Sequence, residues 1–444
     1  MTRRFLLPLI ALSIAAAAVG ARAALSGPAA PPGAEAARAA RAADDESARR
    51  DADVALFEAR IAGDPFSAGD RARLAHLYLQ RARETGDDGD LARAEDEAAA
   101  SLALRDGHNA GALRTLVGAR MARHRFAEAV EAAERLFARE PEKASVRAML
   151  GEARMELGDY DGAAAAFGSV ERARADLSVA PRLARWAELR GETSRARALL
   201  TAAAAEADGR TDLPAEQRAW FHLRVGDLEL RDGRPDAAEA ALGRALALRP
   251  GDARVLAAMA RAAAARGDWS AARAHGEASL AAALDPATLA LLSDVEAAAG
   301  DAARSAEYAR AAEVAVSARS EGFHRAWGLF LVDRGRRVPE VVALARAELR
   351  TRRDVYGHDL LAWALVADGK PAEARREMRE ALRLGTRDAL LRFHAGMIER
   401  AAGDDAAAAA HLRAALEIDA RFHPRHAATA RATLRALEAG GAGV

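Results

Sequence analysis

The side chains best able to do chemistry in this 444-residue chain are its eleven histidines, and they are scattered along it. The only close pair lies in His423-Pro424-Arg425-His426, with His411 one helix earlier. A metal centre needs three or four ligand atoms at about 2 Å from one ion. No carboxylate or thiolate falls at ligand spacing beside the pair, so it reads as polar residues at a helix junction, and neither metal nor cofactor is expected. Asp44-Asp45-Glu46 and Asp87-Asp88 lack the spacing of a calcium loop and read as solvated linker and loop. The chain has no glycine-rich phosphate loop, no G-x-S-x-G elbow and no H-E-x-x-H helix. It has no cysteine, which excludes a disulfide framework, an iron–sulfur cluster, a thiolate zinc site and a lipidated cysteine. These residues point away from an enzyme.

The elements that would position such side chains begin after an address. Arg3 and Arg4 precede an apolar run from Phe5 to Val19, and Ala21-Arg22-Ala23 is a small-x-small cleavage site. The order predicts a signal peptide cut after Ala23 and export to the periplasm or beyond, by the general secretory or the twin-arginine route. The whole chain balances 65 basic against 65 acidic residues. Cleavage would remove three arginines and leave a mature charge of −3, which gives no pull toward nucleic acid. No other stretch has the length and lack of charge of a membrane span. Residues 24–50, with Pro28, Pro31 and Pro32 before Ala/Arg/Asp runs, are expected to be a flexible linker. Lys143 and Lys370 are the only lysines, an arginine bias that fits a GC-rich bacterial genome.

Beyond the linker one unit repeats. Turn glycines stand at 158, 191, 233, 267, 300, 335, 369 and 403, nearly all about 34 residues apart. Two helical turns before each lies a compact residue: Gly151, Ala184, Gly226, Ala260, Ser293, Gly328, Ala362, Gly396. Five residues after most of them is another, such as Ala163, Ala238 or Ala408. One helix thus runs into a glycine that accepts positive φ, and an Asp, Glu, Ser or Pro starts the next. Small faces let the two helices pack antiparallel, and residues such as Leu150, Phe167, Leu242, Leu292, Met378 and Leu412 fill the space to the next pair. A single pair cannot bury its apolar face, so the pairs stack into a solenoid. On this reading Gly233→Ala strains only a turn, whereas Gly226→Leu forces a branched side chain between helices. The extra residues around Asp208–Gln217 read as a loop and Pro339 as a helix start, and the repeat at 321–353, with Val341 and Glu348 where small residues are expected, reads as a bend or a looser contact.

This pattern resembles the tetratricopeptide repeat. Val225, Gly226, Gly233, Ala238, Leu242, Ala245 and Pro250 follow it nearly throughout, as do Leu150, Gly151, Gly158, Tyr160, Ala163 and Phe167. Residues 354–363 and 385–389 are similar to a group of secreted bacterial repeat proteins that carry no assigned activity. The resemblance implies an all-α, right-handed superhelical solenoid of about ten helix pairs over 67–423. An N-terminal capping helix is expected at 51–66, a C-terminal one at 424–438 and a disordered tail at 439–444. It also implies a concave groove lined by fixed positions of each first helix, where Arg114 and Glu152 precede a main set. That set is Arg185, Glu188, Trp220, Asp227, Arg231, Arg254, Arg261, Asp294, Arg325, Asp333, Tyr356, Asp359, Trp363, Phe393, Met397 and Arg400. A register error of one residue turns a side chain by about 100°, so Trp220, Trp363 and Phe393 read equally well as inter-repeat core.

The groove positions lack the Lys and Asn of the repeat's familiar clamp for chaperone C-termini, since the one asparagine is Asn109. The function expected is therefore an exported, non-enzymatic scaffold that binds protein or peptide segments in its groove. The alternative is an envelope assembly protein that works through its outer face or self-association.

Overall fold

A computed structural model describes residues 34–170, 176–317 and 325–441, so the expected signal peptide and residues 24–33 lie outside the described residues, as does 442–444 of the expected tail. Among the described residues every regular element is an α-helix, from Ala34–Gly63 to His426–Gly441. The architecture is all-α and built of stacked antiparallel helix pairs, such as Ala215–Arg231 with Pro235–Leu248 and Ala389–Ala401 with Asp405–Ile418.

Local chemistry sets the helix ends. Gly158, Gly267 and Gly300 terminate helices in the left-handed region, with φ of 88°, 77° and 91°. Asp159, Asp268 and Asp404 then accept backbone N–H groups as N-caps. Within a pair the small residues do what their spacing predicts. A Cβ on Gly226 would stand 2.7 Å from Leu242, one on Gly396 2.7 Å from Leu412, and one on Gly151 3.0 Å from Phe167. Val341 is fully buried, and Pro339 lies in the first turn of the helix Val338–Glu348. The expected long loop after Asp208 is short instead, because the extra residues lengthen the flanking helices Thr193–Asp208 and Ala215–Arg231.

The linker expectation is corrected in part. Residues 34–50 belong to a helix continuous with the expected cap, running Ala34–Gly63. Ala, Arg and Glu are among the best helix formers, and tertiary contacts hold the helix down. Arg50 is buried and pairs with Glu84 and Asp51, and the Glu46 carboxylate accepts the backbone N–H of Ala215 at 2.9 Å.

That contact introduces the dominant tertiary feature. The solenoid coils tightly enough for one superhelical turn to rest on the next. The backbone N–H of Arg353 donates to Leu157 O at 2.9 Å, and that of Val355 to the Tyr160 hydroxyl at 2.8 Å. Thr386 Oγ1 donates to Leu189 O at 2.6 Å, Arg387 meets Asp232 at 3.2 Å, and Arg421 reaches Arg266 O. At the N-terminal end Arg249 closes on Glu84. These partners are 155 to 197 residues apart, and together they form a seam between turns. The concave face therefore encloses an interior rather than an open trough.

Candidate functional site

The closed coil sorts the expected groove residues into three groups. The first is an ion network in the middle of the interior. Glu188 takes Arg185 at 3.2 Å, Arg224 at 3.8 Å and also Arg231. The Tyr356 ring lies under Arg185 and Arg325, with centroid distances of 5.5 and 5.0 Å. Arg325 also pairs with Asp359, which is fully buried and accepts from His394 at 2.7 Å. Burial opposes the charge on Asp359, but His394 and Arg325 outweigh it and hold its carboxyl below the usual range.

The second group is bound into local structure. Phe393 is 1% exposed and packs with Leu412, Ala415 and Ala430, so its placement on an accessible groove wall is corrected to core. Asp359 is corrected in the same sense. Trp363 is partly buried, stacks on His394 at 4.4 Å and donates its Nε1–H to Asp333 at 2.8 Å. Trp220 packs edge-on to Phe221, Met397 lies against the Phe393 cluster, and Arg400 donates to Thr433 at 3.3 Å. Arg254 bridges Asp252 and Glu216, each at 2.9 Å. Further toward the N-terminus Arg114 pairs with Glu140 and Glu152 with Arg182. Burial here comes from neighbouring repeats, because these side chains meet partners about 20–40 residues away in the chain.

The third group lines a cavity of about 550 Å³. Asp227, Arg231, Arg261 and Asp294 come from successive first helices, and Asp333 from the turn after the next one, Arg325–Val332. Arg334, Asp388, Asp419, Arg421 and His423 join them. The floor is apolar, with Leu230, Leu291, Leu329, Phe330, Leu390 and Phe422. Arg261 keeps its side chain 49% exposed while touching Asp227 at 2.8 Å. Asp294 takes Arg334 at 2.8 Å and Arg425 at 3.1 Å. Burial resists ionisation of Asp333, yet His426, His394 and the Trp363 N–H prevail and keep its carboxyl strongly acidic. Burial, with His426 adding to it, pushes the His423 imidazole down to about 4, and burial raises Asp419. Opposed charges over an apolar floor suit a peptide-like ligand with carbonyls, N–H groups and mixed side chains.

The members from 388 to 423 escape sequence reasoning because no register brings them to the wall of helices 150 residues earlier. Only His423 had a signal, its pairing with His426. The expectation that no carboxylate stands near that pair is corrected as well, since Asp333 Oδ2 lies 3.1 Å from His426 Nε2.

The fold and this interior site define an α-solenoid repeat protein. A tetratricopeptide-repeat model matches residues 120–185, and a second matches 223–287 and 360–422. Those stretches are tetratricopeptide repeats, a class of protein-interaction scaffold. Among solved structures, the human IFIT1 dimer with PPP-AAAA aligns with 14% identity and a TM-score of 0.48, over 72% of this chain and 73% of that one. The type IV pilus biogenesis factor PilW aligns with 19% identity and a TM-score of 0.40, over 48% and 96%. The Cut9–Hcn1 hetero-tetramer of APC/C aligns with 12% identity and a TM-score of 0.34, over 89% and 95%. No curated protein matches in sequence. Among the described residues no helix is long and apolar enough to cross a membrane.

Proposed function

We propose that this protein is an exported, non-enzymatic repeat scaffold that holds a segment of a partner protein in the interior cavity. The observation that carries the reading is the cavity itself, about 550 Å³, where five acidic side chains alternate with four arginines above an apolar floor. The balance favours polypeptide over nucleic acid, which would call for an excess of positive charge. Export rests on the order of Arg3-Arg4, the apolar run and Ala21-Arg22-Ala23. Arginine offers bidentate bonds to carboxylates and carbonyls, and the floor offers desolvated contact.

The test is capture of partners from periplasmic extract. Arg261→Glu sets a like charge beside Asp227 at an exposed position, so helicity and melting should hardly change. Capture should weaken about tenfold or more, or about 1.4 kcal/mol. Undiminished capture by Arg261→Glu, with loss of capture on reversing the outward Arg376 and Arg379, would move the working surface to the outer face. Arg254→Glu is unsuited to this test, because it breaks the bridge to Asp252 and Glu216. An exported protein whose intact mass retains Met1–Ala23 would sink the cleavage reading.

A further inference from the structure

We propose that Asp333, His423 and His426 bind one divalent first-row transition metal ion, zinc being the best fit, with a coordination position left open toward the cavity. One ligand atom from each residue lies within 4.8 Å of the other two. Asp333 follows the helix Arg325–Val332, His426 opens the helix His426–Gly441, and His423 sits in the loop before it. Two imidazoles and one carboxylate form a donor set suited to zinc and to other divalent ions of that row.

The independent sign of a ligand is at His426. This residue is 6% exposed, and its Nε2 is buried without a hydrogen bond. That nitrogen nevertheless faces Asp333 Oδ2 at 3.1 Å, off the line a hydrogen bond needs. A protonated imidazole makes this an ion pair, and the same two atoms stand where a metal ion can take the proton's place. Neighbouring ligand atoms around a tetrahedral zinc lie about 3.3 Å apart, given bonds of about 2 Å, so this pair already has the right spacing. His423 completes the set with a side-chain movement of about 1–2 Å, the difference between its present reach and a tetrahedral edge.

The surroundings hold the ligands as metal sites require. Trp363 Nε1 donates to Asp333 Oδ1 at 2.8 Å and leaves Oδ2 for the ion. The Phe393 ring stacks on His426 at 4.7 Å and fixes its plane. Arg334 and Arg425 are the nearby cations, and both are taken up by Asp294. Asp294 itself stands 3.9 Å from His423 Nε2. The cost of binding is one contact, the Arg425 N–H at 3.2 Å from His423 Nδ1. Ligation by Nδ1 replaces that contact, and ligation by Nε2 moves the ring proton to Nδ1 and breaks it. Asp333 and His423 both line the cavity, so the unfilled position faces its interior. The proposal does not depend on what the cavity holds.

The test uses the untagged chain from residue 24, stripped with chelator and titrated calorimetrically with zinc chloride. Cobalt(II) absorption serves as the second readout. One ion per chain should bind, and cobalt should give the intense d–d bands of a tetrahedral or five-coordinate site. His423→Gln and Asp333→Asn should each weaken zinc binding about tenfold or more, while His411→Gln and His358→Gln leave it unchanged. His423 is partly exposed, so its variant keeps the helical signal against which binding is compared. Zinc binding no tighter in the wild type than in a His423→Gln/His426→Gln double variant would overturn the proposal. So would a wild-type cobalt spectrum like that of the aqueous ion, which needs no variant to fold.

Discussion

Gly233 and Gly369 occupy the same place in their repeats, yet the molecule uses them differently. Both adopt positive φ, 69° and 76°, to stop a first helix. Around Gly369 nothing stands within 4 Å of an added Cβ. At Gly233 the Cβ would lie 2.1 Å from Ile418 O on the next superhelical turn. Gly158 is placed like Gly233, with Arg353 O at 2.4 Å. In one set glycine serves a turn, and in the other it also admits a neighbouring backbone. A repeat motif therefore states what each pair needs and is silent about what the coil adds.

The largest test of this contrast is Gly233→Val. A branched side chain against a backbone carbonyl cannot be absorbed by a rotamer change, and left-handed φ adds strain. The loss should reach about 3 kcal/mol or more, with faster hydrogen exchange at Thr386 and Arg387 as the seam opens. The expectation that Gly233→Ala only strains a turn falls for the same reason. It should cost at least as much as Gly226→Ala, whose neighbour is the movable end of Leu242. Equal denaturation midpoints for Gly233→Ala and Gly369→Ala would break the comparison.

Thr386→Val should come next. Its buried hydroxyl is the partner of Leu189 O across the seam, and a stranded carbonyl costs about 1–3 kcal/mol. Thr351→Val removes a local bond on an exposed turn, from Thr351 Oγ1 to Glu348 O at 3.0 Å, and should stay within about 0.5 kcal/mol.

Acid sharpens the contrast from the C-terminal side, where closure half-buries His423 near Asp294 of the preceding turn. Its folded pKa of about 4 lies below the ordinary value of 6.5, so the unfolded chain binds the proton first. Its contribution is full above about pH 6.5 and declines as pH falls toward 4, on the order of 1–2 kcal/mol in metal-free protein. Melting curves with chelator should show that decline, and His423→Gln should flatten it. A variant with an opened seam, such as Gly233→Val, should show less of it. The smallest effect belongs to Gly369→Ala, about 1 kcal/mol from φ alone.

Much of the fold was legible because its signals are local. The turn glycines, the Asp caps and the small residues at Gly151, Gly226 and Gly396 act within one helix pair, at separations the sequence displays. Residues 34–50 were misread because prolines and charges suggested a tether, while the contacts of Arg50 with Glu84 and Glu46 with Ala215 lie far away in the chain. Of the site, the wall positions Asp227, Arg231, Arg261, Asp294 and Asp333 follow from the repeat register. Phe393 and Asp359 share that register but are buried by later packing.

The sequence by itself determined an all-α chain of stacked helix pairs, the identity of its repeat and the wall that faces inward. Those follow from periodicity, propensity and capping, which act over a few residues. Only the tertiary structure decided that the coil closes on itself, that Gly158 and Gly233 touch the next turn, and that Asp333 meets His426. These contacts join residues 90 to 200 positions apart. Small rotations between successive helix pairs add up to set the pitch, and no single repeat encodes that sum.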